Sequence, residues 1–328
     1  DTRTCRIPLA GVRQYTESDC KITSKFTNMN LRYTATLAVA LAACIWLHGS
    51  PRPMSAEKNG SRIDIKAGKR FVTSYHFSPD EKYPYFFPVN SPLSGSGVTS
   101  MRNGTYPHHS SLFFGCDKVN GGNYWQENLE RGRIVSLGPA LIHASGEAIV
   151  IRDECMWKRP DAEAPIRDLR TITVCAPSDS LYQIDFDITL EFLTDVIILK
   201  TNHSLFSARI DPDLSVREGG TMINAEGALG EKETFGRPSP WLDCHATRKS
   251  GTEGIALLQH PSNPGFPSPW FTRDYGFISP TPMYWPTDGK STRFRQNERI
   301  RLRYRVLIHT GNEKEANIAE AFERYKHE

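Results

Sequence analysis

Three stretches of the chain gather the residue types that proton-transfer chemistry needs. The first runs from Tyr106 through Pro107, His108 and His109 to Gly115, and on through Asn120 and Gly121 to Tyr124 and Trp125. A histidine titrates near neutral pH, so it can take and return a proton in one cycle, or ligate a metal. Neighbouring residues of an extended chain point to opposite sides, so one of the two histidines faces a cleft while the other packs or orients it. The same pair also fits a plain loop whose histidines bond backbone carbonyls. The second stretch, Asn224 to Asp243, holds Glu231, Trp241 and Asp243. An indole that excludes water from a carboxylate raises its pKa, as a general acid requires. The third, His260 to Gly276, holds His260, Asn263, Trp270, Arg273 and Asp274 among prolines that stiffen the backbone. Arg273 and Asp274 read either as a structural ion pair or as anchors for hydroxyl or carboxylate groups.

Together these types suit acid/base catalysis on a glycoside or an oxidised sugar. The expected catalytic set is His108, His109, Glu231, Asp243 and His260. The expected binding set is Asn120, Trp125, Trp241, Asn263, Trp270, Arg273 and Asp274, with indoles as sugar faces and polar groups holding hydroxyls. A non-catalytic glycan-binding envelope protein would need only the second set. A metal-dependent enzyme would draw on His108, His109, His260 and Asp243, but adjacent histidines rarely chelate one ion together, so no metal site is assigned. No GxGxxG or P-loop occurs, so no nucleotide cofactor is expected. The expected partner is a small molecule or an oligosaccharide.

The elements that must position these residues read as strands. Tyr182, Ile184, Phe186, Ile188, Leu190 and Phe192 alternate with polar residues, and so do Ile300, Leu302, Tyr304, Val306 and Ile308. Period two over such lengths means one face in the core and one in water. Weaker strand signals fall at 62–67, 147–153, 170–175, 195–200, 205–211 and 254–259. Asn312 offers a cap, and Ile318, Phe322 and Tyr325 recur at helical spacing. The pattern predicts a mostly β fold, a large antiparallel β-sandwich with a short C-terminal helix, as a single domain over 61–328.

Composition narrows the partners. The chain has 328 residues and a formal charge of +3, and its longest basic cluster, Arg299, Arg301, Arg303 and Arg305, alternates with apolar residues as one face of a strand. No polyanion or nucleic-acid partner is expected. Four of the seven cysteines, Cys116, Cys155, Cys175 and Cys244, fall in the folded part without metal spacing, and their pairing stays open. Residues 29–48 combine Arg32 with an apolar run too short to span a bilayer comfortably, which reads as an export signal. Leu41-Ala42-Ala43-Cys44 fits a lipobox, so the alternatives are a lipid-anchored, a secreted and an uncleaved form. The expected location is periplasmic, lipid-anchored or secreted in a bacterium, with membrane contact only through a lipid on Cys44. Residues 1–28 precede Met29 and read as an over-extended start, and 49–60 as a linker.

In chain order, Pro107-His108-His109 to Phe114-Gly115 with Trp125, then Gly230-Glu231 with Trp241 and Asp243, then His260-Pro261-Ser262-Asn263-Pro264 with Trp270 and Arg273-Asp274-Tyr275-Gly276, resemble the blocks of a bacterial family labelled methane oxygenase PmoA. The resemblance runs over about residues 60 to 328. It implies an exported protein with a carbohydrate context. Ser110-Ser111 stands where the family pattern implies a basic residue beside the histidines, which implies a shifted specificity.

Overall fold

The computed structural model describes residues 51–102, 104–126 and 128–328. They form two large antiparallel sheets that do not close into a barrel, plus the short helix Ile318–Tyr325. The first sheet runs Trp270–Arg273, Phe277–Pro280, Ser204–Arg209, Leu112–Cys116, Tyr85–Val89, Arg70–His76, Arg62–Ala67, Met54–Asn59 and Ser145–Gly146. The second runs Thr221–Asn224, Trp241–Arg248, Gly251–Gln259, Arg299–Thr310, Leu181–Phe192, Ile166–Ser178, Ala148–Lys158 and Arg133–Ser136, with Ala140–His143 also on Ala148–Lys158.

Alternating apolar residues make the sheets face each other. Phe186 of the second sheet meets Phe86 edge-on at 5.6 Å and Phe206 at 4.6 Å between ring centroids. Phe206 in turn stacks on Tyr304 at 5.0 Å. The two strands with the clearest alternation pair with each other from Leu181↔His309 to Glu191↔Arg299. On their outward side Arg299 meets Glu191, Arg301 meets Asp187 and Arg305 meets Asp185, so three of the four arginines of the basic cluster form a charge-matched ladder.

Three expectations need correction or bounding. Met54–Asn59, inside the stretch read as a linker, is a strand paired from Met54↔Ala67 to Asn59↔Arg62. The Asn59-Gly60 turn, with Gly60 at φ 60°, closes the hairpin, and only Met54 and Ala56 reach the core, which hid the strand behind polar residues. Cys116, Cys155 and Cys244 are buried free thiols. The expected export segment, Cys44 and residues 1–28 lie outside the described residues. Among the described residues no helix is long and apolar enough to cross a membrane.

Phe206 is 1% exposed and holds rings from both sheets together. Phe206→Ala should lower unfolding stability by about 3–5 kcal/mol. Urea titration of both proteins checks this.

Candidate active site

The pleat decides what faces outward. In Leu112–Cys116, Phe114 lies opposite Phe206, which faces the other sheet, and Phe113 lies opposite Ser207, so Phe113 and Ser207 point to the other side of their own sheet. Arg209 and its ladder partner Phe277 share that outer face. A Cβ on Gly115 would stand 2.6 Å from the Tyr124 carbonyl oxygen, so only glycine admits the returning chain. That approach lets the Tyr124 N–H donate to the Cys116 carbonyl and seats Trp125 on Phe113, with centroids 4.8 Å apart.

Around Trp125 the chain collects histidines. The ring of His203 stacks on Trp125 at 5.5 Å, and its Nδ1 lies 3.0 Å from Oδ2 of buried Asp117. The ring of His108 is 6.5 Å from that of His203 and 4.4 Å from that of His109. His108, Trp125, Tyr83, Glu81, Arg102 and Ser110 line a cleft of about 460 Å³. Arg102 pairs with Glu81 in that wall. Burial, and then the neighbouring His203, hold the pKa of His108 below its ordinary value. His109 lies under the loop between Tyr106 and Phe277, with centroids at 5.1 and 4.5 Å. Burial, followed by the charges of His108 and Arg209, pushes its pKa down to about 2. Both histidines are therefore neutral at pH 7.

Two further features occur on this face, the first of them shared with other parts of the fold. Asp117 Oδ1, Trp125 Nε1, His109 Nδ1 and Arg209 Nε are buried polar atoms without a hydrogen-bond partner. Such atoms are rare in folded proteins and concentrate where a ligand or water completes them. Among the non-glycine residues with positive φ are Arg102, Ser111, Lys118, Asn120 and Leu205, each within a few residues of His108, Asp117 or His203. Backbone of this kind tends to gather at functional sites.

A second cluster lies on the outer face of the other sheet. Trp241, Asp243 and His245 point away from the core that Leu242 and Cys244 join, and the C-terminal helix covers Trp241. Asp243 is fully buried, with Oδ1 2.6 Å from His245 Nδ1 and Oδ2 2.7 Å from His309 Nε2. A Cβ on Gly254 would come within 2.7 Å of both His245 Cβ and His309 Cε1, so this glycine makes room for the pair. His309 Nδ1 also meets the Gly311 carbonyl, and Glu313 comes 3.8 Å from His245 Nε2. Hydrogen bonds and the histidine charges hold Asp243 ionised despite the opposing effect of its burial.

The structure thus divides the expected set. His108, His109 and Trp125 come together, whereas Asp243 sits beyond the opposite sheet and cannot partner either histidine. The metal grouping of His108, His109, His260 and Asp243 is likewise not assembled. His260 Nε2 accepts from Arg303 and Nδ1 meets Ser262, with burial and then the nearby arginines pushing its pKa down to about 4. Asn263 brackets the backbone of Arg303, and Asn120 brackets Asp195 and Ile197, so both are committed to the fold. Trp270 is buried with Nε1 bonded to the Ser239 carbonyl, and Trp241 is covered, so neither offers a sugar face. Glu231, Arg273 and Asp274 close on one another, with Arg273 also over the Phe271 ring. Sequence reasoning missed His203, Asp117, Arg209, His245 and His309. Asp117 and His203 flank the ends of adjacent strands, and Asp243 with His245 has the i, i+2 spacing of one strand face; these were the available signals.

Residues 62–323 match the family described as "Family of unknown function (DUF6807)". That match overturns the resemblance to the methane-oxygenase-labelled family, to which nothing in the chain matches. The quoted blocks are largely buried strand and turn residues. None of the curated proteins matches the chain. Among solved structures, a polysaccharide lyase shares 11% identity at TM-score 0.33, over 85% of this chain and 35% of that one. A proposed aldose 1-epimerase from Klebsiella pneumoniae shares 8% identity at TM-score 0.38, over 83% of this chain and 87% of that one. An alpha-galactosidase from Lactobacillus brevis shares 9% identity at TM-score 0.27, over 79% and 39%. The chain spans about a third of the length of the lyase. Likenesses this distant carry no argument about chemistry.

The second cluster gives a signed pH prediction. Asp243, through its hydrogen bond and charge, raises the pKa of His245 against the opposing effect of burial. A raised histidine pKa adds stability that is fully present below the unfolded value of about 6.5 and is lost as pH rises through the folded value. The stability difference between the wild type and His245→Gln should therefore shrink as the pH rises above about 6.5. Urea unfolding of both proteins across this range measures it.

Proposed function

The chain belongs to the DUF6807 family, whose function is unknown, and from that premise we propose that it is an acid/base enzyme acting on a carbohydrate bound in the cleft that His108 lines, with His203 close behind it. One observation carries the reading: the His203–Asp117 pair stands against Trp125 with the ring of His108 6.5 Å away, beside an open cleft. With Nδ1–H donated to Asp117, His203 would present Nε2 as the proton acceptor of the proposed reaction. Asp117 fixes the tautomer and the ring orientation and balances the imidazolium that forms. His108 is the second proton carrier. A cleft of about 460 Å³ has the volume of a small ligand site rather than a polymer channel. Its wall mixes polar groups with the aromatic residues Tyr83 and Trp125.

In this arrangement His109 is a packing and positioning residue. Its ring is sandwiched and neutral, and it holds the loop that presents His108. Glu231, Asp243 and His260 have no role in the proton path.

Product formation from a panel of glycosides and 3-keto-glycosides, followed by NMR, tests the proposal. Turnover should fall by about 10²–10⁴-fold in His203→Gln and in His108→Gln, with folding intact. Asp117→Asn should also lose rate, because it presents the wrong partner to Nδ1–H. Undiminished turnover in both histidine variants would remove them from the mechanism. Saturable sugar binding without product at any pH would replace the enzyme by a glycan-binding protein.

A further inference from the structure

The cleft beside His108 has polar groups that the proton transfers do not use. Ser78-Pro79-Asp80-Glu81 is a turn, closed by the Glu81 N–H on the Ser78 carbonyl at 3.1 Å, with proline where its fixed φ suits the turn. The turn sets Glu81 at the cleft, where it pairs with Arg102. Tyr85 fixes both partners. Its hydroxyl donates to Glu81 Oε1 at 3.3 Å, and its ring centroid lies 5.6 Å from the Arg102 guanidinium carbon. Tyr85 is itself buried and stacked on His76 at 4.9 Å. The Arg102 N–H donates to the His109 carbonyl at 2.8 Å, which ties the pair to the loop that carries His108. Arg102 holds this place at φ 47°, a conformation that glycine or asparagine would take with less strain.

Unlike the buried groups behind the cleft, this pair is within reach of a ligand. The side chains are 25% exposed for Glu81 and 40% for Arg102, and both line the cleft. Neither is saturated. A carboxylate accepts at several lone pairs and a guanidinium donates through several N–H groups, and the bonds of Glu81 to Arg102 and Tyr85 use only some of them. What remains is a donor and an acceptor side by side. A hydroxyl both donates and accepts, so two adjacent hydroxyls of a sugar ring match the pair: one donates to Glu81 while its neighbour accepts from Arg102. A carbonyl or a carboxylate only accepts, so either would turn lone pairs toward Glu81.

Charge points the same way. The lining sets Asp80 and Glu81 against Lys82 and Arg102, and burial holds the pKa of His108 low. Both cations are already engaged, Arg102 by Glu81 and Lys82 by the Asn128 carbonyl. A charged ligand therefore gains no net attraction from this lining. Leu129, 38% exposed, and Pro107 add apolar surface in the same cleft for the C–H face of a ring.

We infer that the Arg102–Glu81 pair sets the specificity of the cleft by bracketing a vicinal diol, and that the ligand is an uncharged glycoside rather than an oxidised or acidic sugar. The inference rests on the reading of the cleft as a carbohydrate site and names the sugars it takes. Glu81 and Arg102 hold the hydroxyls and leave the proton transfers to the histidines.

Calorimetry and NMR of the His108 ring test it with methyl glucoside and methyl galactoside, each beside its 3-keto and its uronide counterpart. The 3-keto forms have no vicinal ring diol; the uronides keep the diols and add a charge. The better neutral glycoside should bind about tenfold or more tightly than its 3-keto counterpart, and at least as tightly as its uronide. Glu81→Gln should weaken the neutral glycoside by about tenfold and spare the 3-keto form, because an amide N–H suits a carbonyl where a carboxylate does not. Arg102→Met should also weaken the neutral glycoside by about tenfold. Both variants should keep nearly the wild-type thermal midpoint, since a half-exposed ion pair adds little stability. Equal or tighter binding of the 3-keto form, a uronide preferred tenfold, or unchanged discrimination in Glu81→Gln overturns the inference and leaves the cleft a carbohydrate site. A loss that falls alike on every ligand, with a lowered midpoint, makes the pair a structural clasp and overturns it too. No sugar binding, or binding that leaves the His108 resonances unmoved, removes the cleft reading and the inference with it.

Discussion

The arrangement turns on the seat of Phe206. Its ring is locked between Phe186 at 4.6 Å and Tyr304 at 5.0 Å, in the space where the two sheets meet. In a pleated strand, that one commitment dictates its neighbours: Ala208 faces the core, while Ser207 and Arg209 face outward. A slip of one residue would exchange those faces and bury Arg209 in the apolar layer. The same pairing carries to Leu112–Cys116, where Phe114 follows Phe206 inward and Phe113 turns out to support Trp125. The stack of His203 on Trp125 and the placing of His108 follow from there. Chemistry on the outer face is thus held in place by apolar contacts on the inner one.

The two polar clusters show how a structural network differs from a candidate site. Around Asp243 the main valences are filled: both carboxylate oxygens accept from imidazoles, and His309 uses both ring nitrogens. Gly254 gives the cluster its room, and the C-terminal segment lies over it. A satisfied buried network of this kind rigidifies a fold. On the opposite face, Asp117 is bonded through one oxygen only, and Trp125, His109 and Arg209 each keep an atom unpaired. An incomplete network is expensive unless water or a ligand completes it, and this contrast supports the proposed site on the first sheet.

What the sequence showed depended on whether one face of a strand met water. Leu181–Phe192 and Arg299–Thr310 carry polar ladders on one side, and their alternation was legible. Leu112–Cys116 is buried throughout, and in Trp241–His245 every side chain is buried because the C-terminal segment lies over the outer face. Such strands lose their period and read as irregular stretches rich in aromatics. That loss left Trp241, Asp243 and Trp270 outside every strand the sequence suggested, although they lie in Trp241–Arg248 and Trp270–Arg273. His108, His109 and Trp125 were legible by type, since a histidine pair between a proline and an aromatic run is unusual anywhere. Asp117 and His203 were not, because each is a lone polar residue at a strand end and only the Ser204↔Cys116 pairing brings them together.

The backbone around the cleft adds its own argument. Leu205 sits at φ 66°, a conformation that costs a leucine of order 1–3 kcal/mol, one residue before Phe206 takes its place in the core. Ser111 at φ 59° occupies the matching position one residue before Leu112 enters its strand. A sequence selected for stability alone would relax both positions with glycine or asparagine, which accept positive φ at little cost. Both side chains serve the interior, Leu205 as core and Ser111 through its hydroxyl on Thr99. The strain is therefore tolerated at the seam between layers, where the apolar packing behind it is strong enough to hold the histidines in place.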